Sequence, residues 1–339
     1  MTGGGRNAGD KGGKAMPYEK RFQLDMYQKM LELRVFEATV QRMYEEGFIP
    51  NSAHLYVGQE AIGAGVAMAM RDDDIMLPSH RGHGTILAKG CDMNRMMAEL
   101  FGKADGYCKG KGGSMHLAVA DHNVMGSIGI VGSNMSLAAG AGMAAKKNGT
   151  GQVAVCFFGD GAANRGTFHE SMNLASILKL PIIYVLENNF YAISECSRDM
   201  TNIEKFSVRA GGYGVPGETV DGNDPWAVYE SALKAMERAR AGEGPSLLEY
   251  VTWRHYGHYE GDPDARQWIY RSKEEHEEWM KRDPIPIARA RFLEGQVATE
   301  GELLAIEDSV YKAVGAAVEF AHQSPWPDAS ETYTDVYAV

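Results

Sequence analysis

Val153-Ala154-Val155-Cys156-Phe157-Phe158-Gly159-Asp160-Gly161 is the stretch on which the fold turns: six apolar residues run directly into an aspartate set between two glycines. A second apolar run, Ile182-Ile183-Tyr184-Val185-Leu186, leads to Asn188-Asn189, with 26 residues between the two motifs. Uncharged runs of this length read as strands buried on both faces, the pattern of a parallel sheet. Between them, residues 164–180 place Phe168, Met172, Ala175 and Leu178 on one helical face, and Pro181 ends the helix. The spacing predicts strand, helix, strand, with Asp160 and Asn189 delivered to the same carboxyl edge of one sheet, where open α/β sheets bind ligands. A carboxylate and an amide oxygen form a hard-oxygen site suited to Mg²⁺, which also takes oxygens from phosphate. Gly159 and Gly161 leave room for a diphosphate to approach the main chain.

The α/β alternation continues to about Arg254. Residues 218–222 read as a short strand and turn, 226–241 as a helix and 245–253 as another apolar strand. Residues 18–44 and 302–322 read as long helices. The fold class predicted is α/β, a mostly parallel central sheet with helices on both faces. Residues 1–15, glycine-rich and polar, read as a disordered tail unlike a secretory signal. Residues 16–339 read as a single domain with helical N- and C-terminal extensions.

Residues 49–142 are rich in Gly, Met and His and show almost no long periodic segment. The runs 109–116 and 126–132 carry too many glycines for helices or central strands. Yet they also hold Met115, Ile128, Ile130 and Val131, which solvated linkers avoid, so they read as ordered loops beside a ligand. Gly140-Ala141-Gly142-x-x-Ala145 imitates a dinucleotide fingerprint, but no strand precedes it and the helical pattern runs through its glycines. It reads as helix packing, not a nicotinamide site.

The formal charge of −11 argues against nucleic-acid or anionic-membrane surfaces, and no apolar run is long enough to span a bilayer. Cys91, Cys108, Cys156 and Cys196 are scattered without a CxxC, which reads as reduced thiols in a cytoplasmic protein. His80-x-x-His83 and His255-x-x-His258 lack the i, i+4 spacing and the accompanying ligands of a zinc site.

Taken together, these residues resemble the alpha subunit of thiamine-diphosphate-dependent 2-oxo acid dehydrogenases, the family that acts on pyruvate, branched-chain 2-oxo acids or acetoin. The resemblance runs through His54-Leu55-Tyr56-x-Gly58-Gln59-Glu60-Ala61, His80-Arg81-Gly82-His83-Gly84 and residues 110–116 and 129–132. It continues through GDG…NN, residues 220–224 and Tyr256-Gly257-His258. It implies thiamine diphosphate and Mg²⁺ as cofactors. Asp160 and Asn189 would ligate the metal through side chains and Tyr191 through its carbonyl. His80, Arg81, Gly161 and Ala162 would line the cofactor, with Arg81 on the diphosphate. Gly129 and Val131 would meet the aminopyrimidine through main-chain groups, and His54 and His258 would serve the reaction centre, His258 also touching the cofactor.

The resemblance further implies a separate beta subunit supplying a glutamate, an α₂β₂ heterotetramer, and a lipoyl-bearing acyltransferase that accepts the acyl group. Three departures mark the sequence. Six residues, 264–269, separate Asp262-Pro263 from Tyr270-Arg271, where the family usually has three. Tyr259 stands where a phosphorylated serine follows the histidine in animal pyruvate enzymes. His80 replaces a common Tyr, as in acetoin enzymes, while residues 189–194 lean towards branched-chain ones. The competing readings are an acyl- or ketol-transfer enzyme working without a lipoyl partner, and a non-catalytic subunit that keeps the fold.

Overall fold

A computed structural model describes residues 18–337; the tail expected over residues 1–15 lies outside them. Five strands form one parallel sheet in the order β1-β2-β3-β7-β6: β1 Ile75–Leu77, β2 Ala154–Gly159, β3 Ile182–Asn188, β6 Gly217–Asp221 and β7 Ser246–Val251. β4 Tyr191–Ala192 and β5 Glu195–Cys196 form a small antiparallel hairpin immediately after β3.

The central strands β2, β3 and β7 are largely apolar on both faces because both faces are covered, whereas the edge strand β6 is mostly exposed. Along β2, Val155 and Phe157 enter one core while Ala154, Cys156 and Phe158 enter the other. β3 divides in the same way, with Ile183 and Val185 on one side and Ile182, Tyr184 and Leu186 on the other. The second core is closed by α5 Ser133–Asn148 and α6 Gly166–Ile177, the crossovers that flank β2. The first takes α1 Lys20–Glu45, α2 Glu60–Ala69, α3 Gly82–Ala88, α4 Met93–Leu100 and α8 Pro225–Arg240. Beyond β7 come the short helices α9 Asp264–Gln267 and α10 Lys273–Met280, then α11 Pro284–Glu294 and α12 Glu300–Gln323, the last two returning to the first core. A one-turn helix, α7 Ser197–Met200, follows the hairpin.

The expected strands and the helices at 18–44, 164–180, 226–241 and 302–322 are all present within a few residues. Leu178 is the exception in its stripe: it lies one residue past α6 and is exposed, while Phe168, Met172 and Ala175 are buried. Gly142 sits inside α5, where a Cβ would lie 2.7 Å from Ile182, so it serves helix packing with buried Ala141 and Ala145, whereas Gly140 is exposed and a Cβ there would meet nothing within 4 Å.

The expectation of little regular structure over residues 49–142 needs correction, since α2, α3, α4 and β1 all lie there. α2 consists almost wholly of small and apolar residues, most of them buried, so it has no polar face to create a period. Strand β1 has only three residues. Residues 109–116 and 126–132 are irregular up to Gly132, as expected.

One buried side chain organises the first of these loops. The carboxyl group of Glu99, on α4, accepts from the backbone N–H groups of Cys108, Gly110, Gly112 and Gly113 at 2.7–3.1 Å. A lost acceptor leaves buried donors unsatisfied, at a cost of about 1–3 kcal/mol each. Glu99→Gln turns one oxygen into an amide facing N–H groups. It is expected to lower the thermal midpoint and to open residues 106–116 to limited proteolysis, both read against the parent chain.

Candidate active site

The register of the two central strands sets the site. β2 and β3 pair in parallel with Gly159 opposite Glu187, so Asp160 leaves the sheet beside Asn188 and Asn189. A cavity of about 270 Å³ opens at this edge. Asp160, Gly161, Ala162, Asn189 and Tyr191 line it, with His80, Arg81 and His258 from other segments and Val131 from the second glycine-rich loop. Gly129 is not in that wall; it lies two residues away, against the ring of His116.

Asp160 is buried, and burial raises its carboxyl group to about 6 in spite of the nearby Arg254. Its Oδ2 has no hydrogen-bond partner. Asn189 donates its amide N–H to Gln59 Oε1 at 2.8 Å, which leaves its Oδ1 with only a long 3.4 Å contact from the Tyr191 N–H. Two oxygens at one sheet edge are thus free to take a cation. The hairpin holds the next donor, the Tyr191 carbonyl, between Phe190 (φ 69°) and Ile193 (φ 58°). Left-handed backbone at a β-branched residue is costly and persists only where its surroundings enforce it.

The roles expected of the two glycines separate. A Cβ on Gly159 would meet nothing closer than 3.8 Å, so that position is open to the cavity. A Cβ on Gly161 would lie 2.7 Å from the Cβ of Ala192, so the hairpin, rather than a ligand, already requires glycine there.

Arg81 is buried, and its guanidinium donates to the carbonyls of Leu55 (2.9 Å) and His258 (2.6 Å). Arg254, also buried, reaches the carbonyls of Tyr191 and Ile193, while its Nε and Nη1 have no partner. Burial lowers both, Arg81 down to about 9, and each is further lowered by neighbouring positive charge. Two buried cations held by neutral acceptors, beside a carboxyl group with an empty oxygen, fit an anion that arrives with a divalent cation.

Three histidines converge at the mouth. His54 stacks edge-on against His80 and His258, with ring centroids 4.9 and 5.1 Å apart. Desolvation lowers all three, and Arg81 lowers them further; His54 falls to about 3, and the other two are held well below the usual histidine range. They are neutral imidazoles at pH 7. Behind them runs a buried chain: Glu37 contacts His83 Nδ1 at 3.2 Å, His83 Nε2 contacts Ser114 Oγ at 2.8 Å, and that oxygen accepts from the His54 backbone N–H at 3.3 Å. The lengthened loop lies beside His258. Asp262 accepts from the His258 N–H at 2.6 Å and from the Tyr270 hydroxyl, and buried Asp264 pairs with Arg271. Tyr259, at the position of the family's serine, is exposed.

Arg254, Glu187 and Gln59 are the site residues that the sequence reading passed over. Glu187 lines the cavity, accepts a hydrogen bond from Tyr56 and is raised by burial to about 7. The available signal was position: Glu187 lies near the end of a buried strand, and Arg254 follows one three residues after its last member. All four cysteines are free thiols, and among the described residues no helix is long and apolar enough to cross a membrane.

Residues 28–330 match the model of the dehydrogenase E1 component family. The chain is 47% identical over 313 residues to the acetoin:2,6-dichlorophenolindophenol oxidoreductase alpha subunit of Bacillus subtilis, covering 92% of each chain. The protein of that name from Cupriavidus necator is 43% identical over 325 residues, covering 95% of this chain and 96% of its own. The pyruvate dehydrogenase E1 component alpha subunit of Rhizobium meliloti is 40% identical over 326 residues, covering 96% and 92%.

The depressed histidines make stability depend on pH. His54, and His255 at about 4, bind a proton more readily in the unfolded chain than in the folded one. Their contribution is therefore complete above about pH 6.5 and declines as pH falls towards 4, by at most about 1.4 kcal/mol per pH unit for each group. Asp160 and Glu187, raised by burial to about 6 and about 7, act in the opposite sense over the same range, so the histidine effect is read from the variant. Between pH 7 and 5 the thermal midpoint of ligand-free His54→Gln is expected to fall less, or rise more, than that of the parent chain. A slope unchanged in His54→Gln would mean that His54 is not held neutral.

Proposed function

The chain belongs to the dehydrogenase E1 component family, and on that premise we propose that it is the alpha subunit of a thiamine-diphosphate- and Mg²⁺-dependent oxidoreductase that cleaves acetoin or a small 2-oxo acid. It works with a beta subunit as an α₂β₂ heterotetramer, in the cytoplasm, and passes the acyl group to a lipoyl-bearing acyltransferase. One observation carries the reading: the orphaned Asp160 oxygen and the Asn189 amide oxygen face a cavity lined by buried Arg81, with buried Arg254 behind the Tyr191–Ile193 hairpin, and both guanidiniums have only neutral acceptors.

In this reading Asp160, Asn189 and the Tyr191 carbonyl hold the metal, Arg81 binds the diphosphate, and Gly161 and Ala162 line it beside His80. Arg254 adds a second positive charge behind it. Gly129 and Val131 offer main-chain groups to the aminopyrimidine. Bound thiamine diphosphate supplies the carbon that attacks the substrate carbonyl and stabilises the resulting negative charge. The protein's share is to orient the reactants, exclude water and manage protons on the substrate oxygens. Neutral His54, with its Nδ1 unpartnered, can accept a proton from a substrate hydroxyl, and His258 can exchange one at the facing oxygen.

The histidine wall also bears on the substrate. An exposed cation, Arg165, also stands in the cavity wall, but the three imidazoles at the reaction centre are uncharged and suit a neutral hydroxyketone better than a carboxylate. That favours acetoin, the substrate printed in the names of two relatives described above.

Co-expression with a beta-type subunit should give thiamine-diphosphate- and Mg²⁺-dependent dye reduction with acetoin, and less with pyruvate. Tight cofactor binding with no turnover of either would remove the substrate assignment. Asp160→Ala should abolish Mg²⁺-dependent cofactor binding measured by calorimetry, and binding like that of the parent would remove the metal assignment. Arg254→Gln should weaken cofactor binding at least about tenfold, or about 1.4 kcal/mol.

A further inference from the structure

The two His-x-x-His pairs each split in the fold. His83 turns inward to Glu37 and Ser114, and His255 lies buried near Asp283. Their partners, His80 and His258, meet each other and His54, from three segments far apart in sequence. One nitrogen of each ring lies within 4.8 Å of the other two. His54 Nδ1 and His80 Nε2 are buried without any hydrogen-bond partner, and His54 is only 8% exposed.

From this arrangement we propose that His54, His80 and His258 form a three-imidazole site for a divalent transition ion such as Zn²⁺, separate from the oxygen site at Asp160, and that its occupancy blocks the reaction centre. Imidazole nitrogens select Zn²⁺, Cu²⁺, Ni²⁺ or Co²⁺ over Mg²⁺, whereas the carboxyl and amide oxygens at Asp160 and Asn189 do the opposite. The two sites therefore discriminate by ligand chemistry. Three histidines with a fourth position open to a cavity is a common arrangement for Zn²⁺. Bonds of about 2.0 Å in a tetrahedral site need nitrogens about 3.3 Å apart, so each ring must close inward by under about 1 Å.

Two features bear on affinity. The rings are already neutral, so the ion displaces no proton. Arg81 Nη2 sits 3.0 Å from His258 Nδ1, but the same nitrogen also donates to the His258 carbonyl at 2.6 Å. A metal can take the ring nitrogen and leave the arginine with a partner. The positive charge of Arg81 and Arg254 opposes the ion, which weakens binding and favours an anionic fourth ligand such as hydroxide.

The test uses the full chain purified with its beta-type partner, without thiamine diphosphate and with Mg²⁺ in excess. Co²⁺ is titrated in and its visible d–d absorption recorded, with Zn²⁺ as competitor. The expected result is one Co²⁺ per chain in nitrogen-rich tetrahedral coordination, displaced by Zn²⁺ and weakened at least tenfold by His80→Gln and by His54→Gln. Absent absorption at a protein concentration high enough for one tetrahedral Co²⁺ per chain to be visible, with Co²⁺ in excess, or affinity unchanged in both variants, overturns the site. Nitrogen couplings in the Cu²⁺ electron paramagnetic resonance spectrum of the unaltered protein check it independently of how the variants fold: three coupled imidazoles support it, and one or none overturns it. Zn²⁺ added before thiamine diphosphate should lower turnover over the range in which it displaces Co²⁺, reversibly on chelation; binding without inhibition overturns the blocking role. The spectroscopic arms need no catalysis, so they stand or fall apart from the proposed reaction.

Discussion

The parallel pairing of β2 with β3, Gly159 opposite Glu187, is the constraint on which the rest depends. A slip of one residue would exchange the two faces of the strand, sending Phe158 into the core that holds Phe157 and turning Asp160 away from the sheet edge. The register is pinned because both cores are full. Val155 and Phe157 fill one and Cys156 and Phe158 the other, each fully or almost fully buried. Packing, not any contact made by Asp160, therefore decides where Asp160 emerges. The same logic places Asn189, whose amide is then turned by Gln59, a residue 130 positions away in the chain.

What emerges at that edge is an electrostatically incomplete site. Buried Arg81 and Arg254 hold carbonyl oxygens and a ring nitrogen rather than carboxylates, and Asp160 keeps one oxygen without a partner. Elsewhere the protein completes such groups: Arg34 is shared between Glu60 and Asp283, Arg240 pairs with Asp74, and Arg271 with Asp264. The contrast within one chain separates function from structure. Buried Arg271 and half-buried Arg34 and Arg240, with carboxylate partners, maintain the fold, whereas buried arginines without them mark where a ligand must supply charge. The histidines follow the same logic, since burial keeps the imidazoles neutral and the cations that await an anion lower them further.

Much of this was legible in the sequence, and the exceptions have physical causes. Strands β2, β3 and β7 announce themselves because a strand covered on both faces is mostly apolar, with Glu187 and Glu249 as buried, hydrogen-bonded exceptions. Helix α6 shows a period because one of its faces is wet. Helix α2 shows none because most of its residues are buried, so amphipathicity has nothing to record. Asp160, Asn189 and Arg81 could be read because they sit in motifs with fixed spacing. Arg254, Glu187 and Gln59 could not be ranked, because a single polar residue near a strand end or in a loop looks the same whether it faces solvent or a cavity. Their roles depend on contacts across more than 60 positions, such as Arg254 with Tyr191 and Tyr56 with Glu187. Gly161 shows the opposite error, since its motif invited a ligand-based reason where the hairpin at Ala192 already supplies one.

An incomplete site has a thermodynamic consequence for the whole chain. Desolvated cations, a carboxyl group raised by burial and left-handed backbone at Phe190 and Ile193 all raise the free energy of the folded state without ligand. They persist because two cores built on β1, β2, β3 and β7 stabilise the fold independently of the site. A ligand that brings diphosphate and a metal relieves those costs at once, and anything that binds only the folded form stabilises it in proportion to its affinity. The energy stored at the sheet edge therefore does not weaken the design. Part of the cost of organising the site is met during folding, so a ligand that completes its charges meets donors already in place and need order fewer groups as it binds.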